Sequence, residues 1–331
     1  MGWSGAYLLL VAAGLVACIL AAVHHAEHLA VVFGEPYGTM LLAIAVTVIE
    51  VGLIVTLMVA GGAAAQALAR DTVYAAVMII LNGIVGVCLL VGGLRFHEQE
   101  FNLQGASGAL ATLAAITVLT LVLPNFTSTT PGPYYSRGQL GLVALVTLAL
   151  YATFALVQGS RHREHFAQDE EPASAGDAHA GAGWTITSTL LVACLLAVVL
   201  LAKALAPAIE RAVIEAGAPN ALVGVVISAM ILMPEGLAAW RAAASDRLQT
   251  SLNLALGSAL ATIGLTIPVV AGICIATGWP LALGLDARSM VLLGLSLFVA
   301  ALSLGTGRTT ILQGAVHLVL FAIYLFTTVV P

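Results

Sequence analysis

Two glutamates stand where a carboxylate is costly. Glu50 is the only charged residue between Glu35 and Arg70, inside the run TMLLAIAVTVIEVGLIVTLMVA. An ionised carboxylate on the lipid face of a helix costs on the order of 2.5–3.5 kcal/mol or more, so this side chain must face a bundle interior or a cavity. Glu235 lies in ISAMILMPEGLAAW, nineteen uncharged residues after Glu215 and six positions before Arg241, which makes it the less securely buried of the two. Beside it Pro234 removes a backbone donor and Gly236 loosens the helix, so carbonyl oxygens near Met233 can be freed. Two such carboxylates brought together suit a hard cation, since Ca2+ takes about six to eight oxygen ligands and two carboxylates cancel its charge. Without the cation, desolvation and mutual repulsion make the same pair take up protons. Competition between a cation and protons for one site is the physical basis of antiport.

Several uncharged polar residues share these apolar runs. Thr47 lies three residues before Glu50 on the same helix face. Asn82, Asn253 and Ser258 can supply oxygens or orient the carboxylates, and each serves equally well as a hydrogen bond between helices. A different constellation stands in HHAEHLA, where His24, Glu27 and His28 match the H-x-x-E-H pattern of some zinc peptidases. Helical spacing puts the three on one face, but a zinc site needs a further ligand, from Glu35 or a distant acid. A His/Glu cluster at a helix end also suits the mouth of a transport path or a proton relay, because it titrates near neutral pH. The alternative to antiport is therefore an intramembrane zinc-dependent metalloenzyme built on His24, Glu27 and His28.

The elements that must position these groups follow from composition. The chain has 331 residues, 61% hydrophobic and only 8% charged, with a mean hydropathy of +1.07. Too few polar residues are present to cover a soluble globule of that size. Instead the length fits roughly ten helices of about 20 to 25 residues, each able to cross a hydrocarbon core of about 30 Å. Charge-free windows bounded by Gly, Pro, Asn or charges place spans near 5–30, 38–60, 73–94, 107–124 and 138–158, then 184–206, 220–241, 250–276, 288–305 and 310–330. The first window begins at once without Lys or Arg, and reads as a first span rather than a signal peptide. Cys18, Cys88, Cys194 and Cys274 lie singly in apolar runs without metal-ligand spacing, and read as small packing residues. No basic block suited to nucleic acid occurs, so nucleic-acid binding is excluded. The partners expected are cations, protons and the lipid bilayer, with no cofactor.

Between the two sets of spans lies GSRHREHFAQDEEPASAGDAHAGAG, residues 159–183, which must be an aqueous linker. Its acids Asp169, Glu170, Glu171 and Asp177, with His162, His165 and His179, are candidates for sensing ions or pH, though a solvated charge run is the plainer account. Five spans (1–158), a linker (159–183) and five spans (184–331) put the second half into the membrane upside down relative to the first, the inverted-repeat plan of many secondary transporters. At an offset of 185 residues Glu50 falls on Glu235, and each half then has an Asn-x-x-x-Gly, Asn82 to Gly86 and Asn253 to Gly257. Lys and Arg number six on the linker side and five on the other, which favours a cytoplasmic linker.

The stretch AEHLAVVFGEPYGTMLLAIAVTVIEVGLI resembles the first repeat of the calcium:proton antiporters of the cation/calcium exchanger superfamily, above all their bacterial branch. VISAMILMPEGLAAWRAA followed by RLQTSLNLALGSALATIGLTIPVV resembles the second repeat, and GGLRFHEQEFN looks like a further signature. The resemblance implies an all-α polytopic membrane protein of about ten helices in two inverted five-helix repeats. It further implies that Glu50 and Glu235 bind the cation and exchange it for protons, that the first and sixth helices slide to open the site to either side, and that the protein lies in a bacterial inner membrane with its linker in the cytoplasm. One departure matters. Many relatives carry Gly-Asn four and three residues before each glutamate, where this sequence has Val46 and Thr47, and Ile231 and Leu232. With two amide ligands missing, oxygens beside Glu235 fall to carbonyls near Met233, to Ser258 or to water. Ca2+ is the cation expected, with Na+ and K+ as alternatives.

Overall fold

The computed structural model describes residues 5–33, 37–61, 66–158, 183–215, 217, 219 and 221–330. Glu35 and the linker acids and histidines lie outside the described residues. Among those described, ten helices follow one another: α1 (Gly5–Phe33), α2 (Tyr37–Gly61), α3 (Leu68–Phe96), α4 (Leu103–Phe126), α5 (Arg137–Leu156), α6 (Gly183–Glu215), α7 (Ala221–Ala243), α8 (Leu248–Thr277), α9 (Ala287–Leu304) and α10 (Ile311–Val329). Nine have stretches long and apolar enough to cross a bilayer, and α2 contributes the apolar segment Ala43–Val59. Inside α3 the α-helical ladder opens into a π-helical turn over Ile79–Ile84. A similar turn over Val118–Val122 precedes a 3-10 turn, Leu123–Phe126, at the end of α4.

Two span ends differ from the sequence reading. The third span begins at Leu68 rather than near 73, because Arg70 and Asp71 neutralise each other at 2.8 Å and Arg70 also donates to the Gly284 carbonyl at 2.9 Å. Paired charges of this kind no longer mark a helix end. The sixth runs on to Glu215 with Pro207 inside it, beyond the end near 206. A helix keeps satisfying its own backbone where it leaves the apolar layer, and a proline bends it without ending it.

The two halves repeat each other in their caps as well as in their helix count. Asn102 caps α4 by accepting from the Gln104 backbone N–H at 2.9 Å, and Asp286 caps the equivalent helix α9 by accepting from Ser289 at 3.4 Å. Burial opposes the charge of Asp286, but the Ser289 hydroxyl, the neighbouring Arg288 and that capping bond outweigh it and hold the carboxyl below its ordinary range. Ser136 and Gln139 open α5 with a reciprocal capping box, and Thr310 and Gln313 do the same for α10. The connecting loops pair across the halves. Gln99–Glu100, after α3, forms a two-residue antiparallel ladder with Arg308–Thr309, after α9. With the halves exchanged, the loop after α8 meets the loop after α4 through the bridge between Ala282 and Tyr134. Consecutive loops alternate between membrane faces, so these two matching contacts lie on opposite faces, as an inverted repeat requires.

The innermost helices are the equivalent pair α3 and α8, with 78% and 56% of their apolar windows buried against 17% for α5 and for α6. α3 packs on α7 and α10, and α8 packs on α2 and α5. Each central helix thus packs on helices of the other half, and neither half is closed alone. Without water to drive apolar surfaces together, such packing relies on close backbone approach at small residues. At the α3/α10 seam a Cβ on Gly314 would overlap the Leu90 backbone nitrogen, and at the α3/α7 seam one on Gly224 would lie 2.8 Å from the Asp71 carbonyl carbon.

Gly314→Ala therefore forces backbone apart rather than a mobile side chain. It is expected to destabilise the purified protein by about 1–3 kcal/mol. Gly108→Ala, where a Cβ meets nothing within 4 Å, should be neutral or slightly stabilising. Thermal unfolding of both variants in detergent checks the contrast.

Candidate functional site

Glu50 sits in the middle of α2 with 2% of its surface exposed, among Ile49 and Ile54. Its partner comes from the other half of the chain. Thr266 of α8 donates its hydroxyl to Glu50 Oε2 at 2.8 Å, and Thr262, one turn earlier on α8, presents a second hydroxyl to the same carboxylate. Both threonines are buried. A buried carboxylate is tolerated where hydrogen bonds replace water, and hydroxyls do this without adding a charge that would lock it. Pro268 follows on the same helix; lacking an N–H, it leaves the Gly264 carbonyl without its helical donor, which adds an acceptor near the threonine pair.

Glu235 lies on α7, half-buried, and its charge acts on Glu50. α2 and α7 touch, so the two acids face one interior from equivalent helices of the two halves. Pro234 removes the donor that the Met230 carbonyl would have used, so the freed oxygen is Met230's, one turn before the expected Met233. The Met233 side chain is 38% exposed and points away from the buried core. Next to Glu50, the bare face of Gly52 admits α6: a Cβ there would lie 2.9 Å from a methyl of Val199. α6 also packs on α1, so the helix pair named by the resemblance as mobile runs directly past the acid.

The other predicted residues divide. Thr47 is buried beside Glu50, and its hydroxyl donates to the Ala43 carbonyl at 2.8 Å. Ser258 is half-buried on α8, two turns before Thr266. Asn82 is turned toward α9 and α10, where it bonds Ser296 at 2.8 Å and meets His317 Nδ1 at 3.2 Å. Asn253 accepts from Gln249 at 2.9 Å near the start of α8. Thirteen residues of helix, about 20 Å, separate it from Thr266, so the two cannot hold one ion. The matched Asn-x-x-x-Gly motifs therefore do not occupy matching environments. Thr262 and Thr266 are absent from the sequence reading, although Ser258, Thr262 and Thr266 form an i, i+4, i+8 polar stripe on an otherwise apolar helix that marks one lined face.

His24 and His28 are exposed on α1, while the Glu27 side chain and Glu35 lie outside what is described. Among the described residues no three His, Cys, Asp or Glu side chains converge as metal ligands. The four cysteines are free, with Cys88 and Cys274 buried. A cavity of about 320 Å³ opens elsewhere, between the starts of α3, α7 and α9 and the end of α10, lined by Arg70, Asp71, Tyr74 and Arg288 among others. Neither glutamate reaches it.

With this geometry in hand, similar proteins are informative. The family model described as sodium/calcium exchanger protein matches residues 3–159 and 187–330. A putative ionic transporter, y4hA, of Sinorhizobium fredii is 48% identical over 326 residues, which is 98% of this chain and 89% of that protein. The sodium-potassium/proton antiporter ChaA of Escherichia coli is 40% identical over 324 residues, 96% of this chain and 87% of that one. Among solved structures, native YfkE superposes with a TM-score of 0.73 at 19% identity, covering 98% of this chain and 92% of that one. The H+/Ca2+ exchanger CAX gives 0.65 at 16% identity, covering 96% and 78%. These last two bear on the fold alone.

Proposed function

Because the chain belongs to the sodium/calcium exchanger protein family, we propose that it exchanges a cation for protons at one site built on Glu50 and Glu235. It is a membrane transporter of the antiporter class and not an enzyme, which corrects the zinc-enzyme alternative: the family and its relatives transport ions, and His24 and His28 are exposed side chains with no third ligand among the described residues. The observation that carries the proposal is the Glu50 carboxylate, almost wholly buried in α2, bonded by Thr266 from the opposite half and facing the charge of Glu235.

In the cation-bound state both carboxylates are ionised and their charge is spent on the ion. When the cation leaves, two bare carboxylates in an apolar interior repel each other, and protons replace it. Because both cargoes need the same oxygens, they cannot cross together, which makes the exchange obligatory. Thr262 and Thr266 orient Glu50, and the Met230 carbonyl and Ser258 supply neutral oxygens. α1 and α6, sliding past Gly52, expose the site to one side and then the other. Ca2+ is the first candidate cargo, because two carboxylates balance two charges. Na+ and K+ stand second, favoured by the 40% identity to an antiporter named for them and by the lack of side-chain amides next to either glutamate. We place the protein in a bacterial inner membrane, with residues 159–183 on the cytoplasmic side.

Reconstitution in liposomes under an imposed pH gradient tests the reading: Ca2+, Na+ or K+ added outside should dissipate the gradient, and Mg2+ should not. If none of the three does so, proton-coupled exchange is refuted. Glu50→Gln and Glu235→Gln should each reduce exchange to background while the protein remains folded, because a single carboxylate cannot neutralise a divalent ion; exchange retained in either variant removes that residue from the site. Thr266→Val should raise the cation concentration for half-maximal exchange by about 10- to 100-fold, the usual cost of losing a group that orients a ligand. Thr266→Ser should stay close to the unsubstituted protein.

A further inference from the structure

Asn82 was a candidate ligand, yet its amide is committed elsewhere. It sits in the π-helical turn Ile79–Ile84 of α3, wholly buried, as are Ser296 of α9 and His317 of α10. The three side chains form one chain of hydrogen bonds whose direction is fixed. Ser296 has one proton and donates it to the Leu292 carbonyl at 2.7 Å. Its oxygen must then accept from Asn82 Nδ2, 2.8 Å away. Asn82 Oδ1 is left as the acceptor, so His317 carries its proton on Nδ1 and donates it across 3.2 Å. Only one ring nitrogen is used; Nε2 has no hydrogen-bond partner.

This chain of bonds fastens the outer helices α9 and α10 to one side of the π-helical turn. The fit is close, since a Cβ on Gly86 would lie 3.0 Å from His317 Cβ and one on Gly83 would lie 3.3 Å from Phe321. The other side of the same turn rests on the site. Ile84 lies against Gly236, where a Cβ would come within 3.3 Å of Ile84 Cδ1, and Gly236 is the residue after Glu235. A π-helical turn has an opened hydrogen-bond ladder, so its shape depends on what holds it from outside. No charged side chain belongs to the cluster, which leaves an imidazolium there without compensation and argues against His317 as a proton carrier.

We propose that His317 is a positioning residue for the cation site: through Asn82 it fixes the π-helical turn of α3, which sets where Glu235 stands relative to Glu50. The inference rests on the exchange reading above and adds to it a residue on a helix that touches neither cargo. His317→Leu removes the donor and leaves Asn82 Oδ1 buried without a partner. His317→Asn puts an amide N–H near the position of Nδ1, and Ser296→Ala removes the other anchor with the smallest change in volume.

The experiment measures exchange in liposomes, with Ca2+, Na+ and K+ as separate arms, alongside calorimetric binding of the same ions to purified protein. His317→Leu should raise the half-maximal cation concentration and the dissociation constant about tenfold, while the maximal rate and the pH optimum stay unchanged. Ser296→Ala should shift both constants in the same direction, and His317→Asn should restore them. Unshifted constants in folded His317→Leu overturn the proposal, and so does a shift that His317→Asn fails to repair. Should His317→Leu not fold, unshifted constants in Ser296→Ala overturn it alone. A displaced pH optimum with unaltered cation binding would make His317 a proton-handling group and equally refute positioning. Failure of exchange in the unsubstituted protein would refute antiport, and the calorimetric arm would still decide the role of His317.

Discussion

The bond from Thr266 to Glu50 is the constraint on which the arrangement turns. A carboxylate in the middle of an apolar helix is intolerable toward lipid, so α2 cannot lie at the edge of the bundle with that face outward. Its hydrogen-bond partner must come from a helix that is itself interior. α8 qualifies because it is the most enclosed helix of the second half, and its threonines arrive at the right depth one turn apart. The bond therefore joins the halves at the place where the chain has the most to lose by leaving them apart. It also explains why the donors are hydroxyls. A lysine or arginine there would neutralise Glu50 permanently and leave no vacancy for a cation.

A second consequence follows from the inverted repeat. Equivalent residues of the two halves approach one another only near the axis that relates them, which lies in the membrane plane. Glu50 and Glu235 are equivalent and interior, so their meeting is a result of symmetry as much as of chemistry. The loops are equivalent too, but they lie at opposite faces and pair with loops of the other half: Gln99–Glu100 with Arg308–Thr309 on one face, Ala282 with Tyr134 on the other. These contacts tie the loops that follow α3, α4, α8 and α9, and neither includes a residue of α1 or α6.

The symmetry is imperfect, and its imperfections decide what was legible in the sequence. The ten spans and the two acids could be read because charge is so scarce that each exception is conspicuous. Thr262 and Thr266 were hidden because a threonine in an apolar helix usually bonds its own backbone, as Thr56 does to the Gly52 carbonyl and Thr117 to that of Leu113. Only the i, i+4, i+8 spacing with Ser258 and Thr262 sets Thr266 apart from those, and its partner lies 216 residues away. Asn82 and Asn253 stay open between ligand and interhelical bond for a related reason. An Asn one turn before a Gly describes a helix face that accepts a close neighbour, and such a face serves packing as readily as ligation. The π-helical turns were unreadable, since Ile79–Ile84 carries no residue that forbids an ordinary α-helix.

That asymmetry between the acids is itself consistent with exchange. Glu50 is almost sealed and bonded by hydroxyls, whereas Glu235 is half-buried beside a proline and a glycine. A site with two equally sealed carboxylates would bind its ion but give no route by which protons or water reach it. A site with two equally open ones would let the ion hydrate and escape without replacement. In the proposed exchange, the enclosed Glu50 and a Glu235 on a helix with a broken ladder give the ion an anchor and a side from which it can be displaced. Both acids then give up the ion to protons, and the more open Glu235 is the side from which protons and water enter while the hydroxyls hold Glu50 in place.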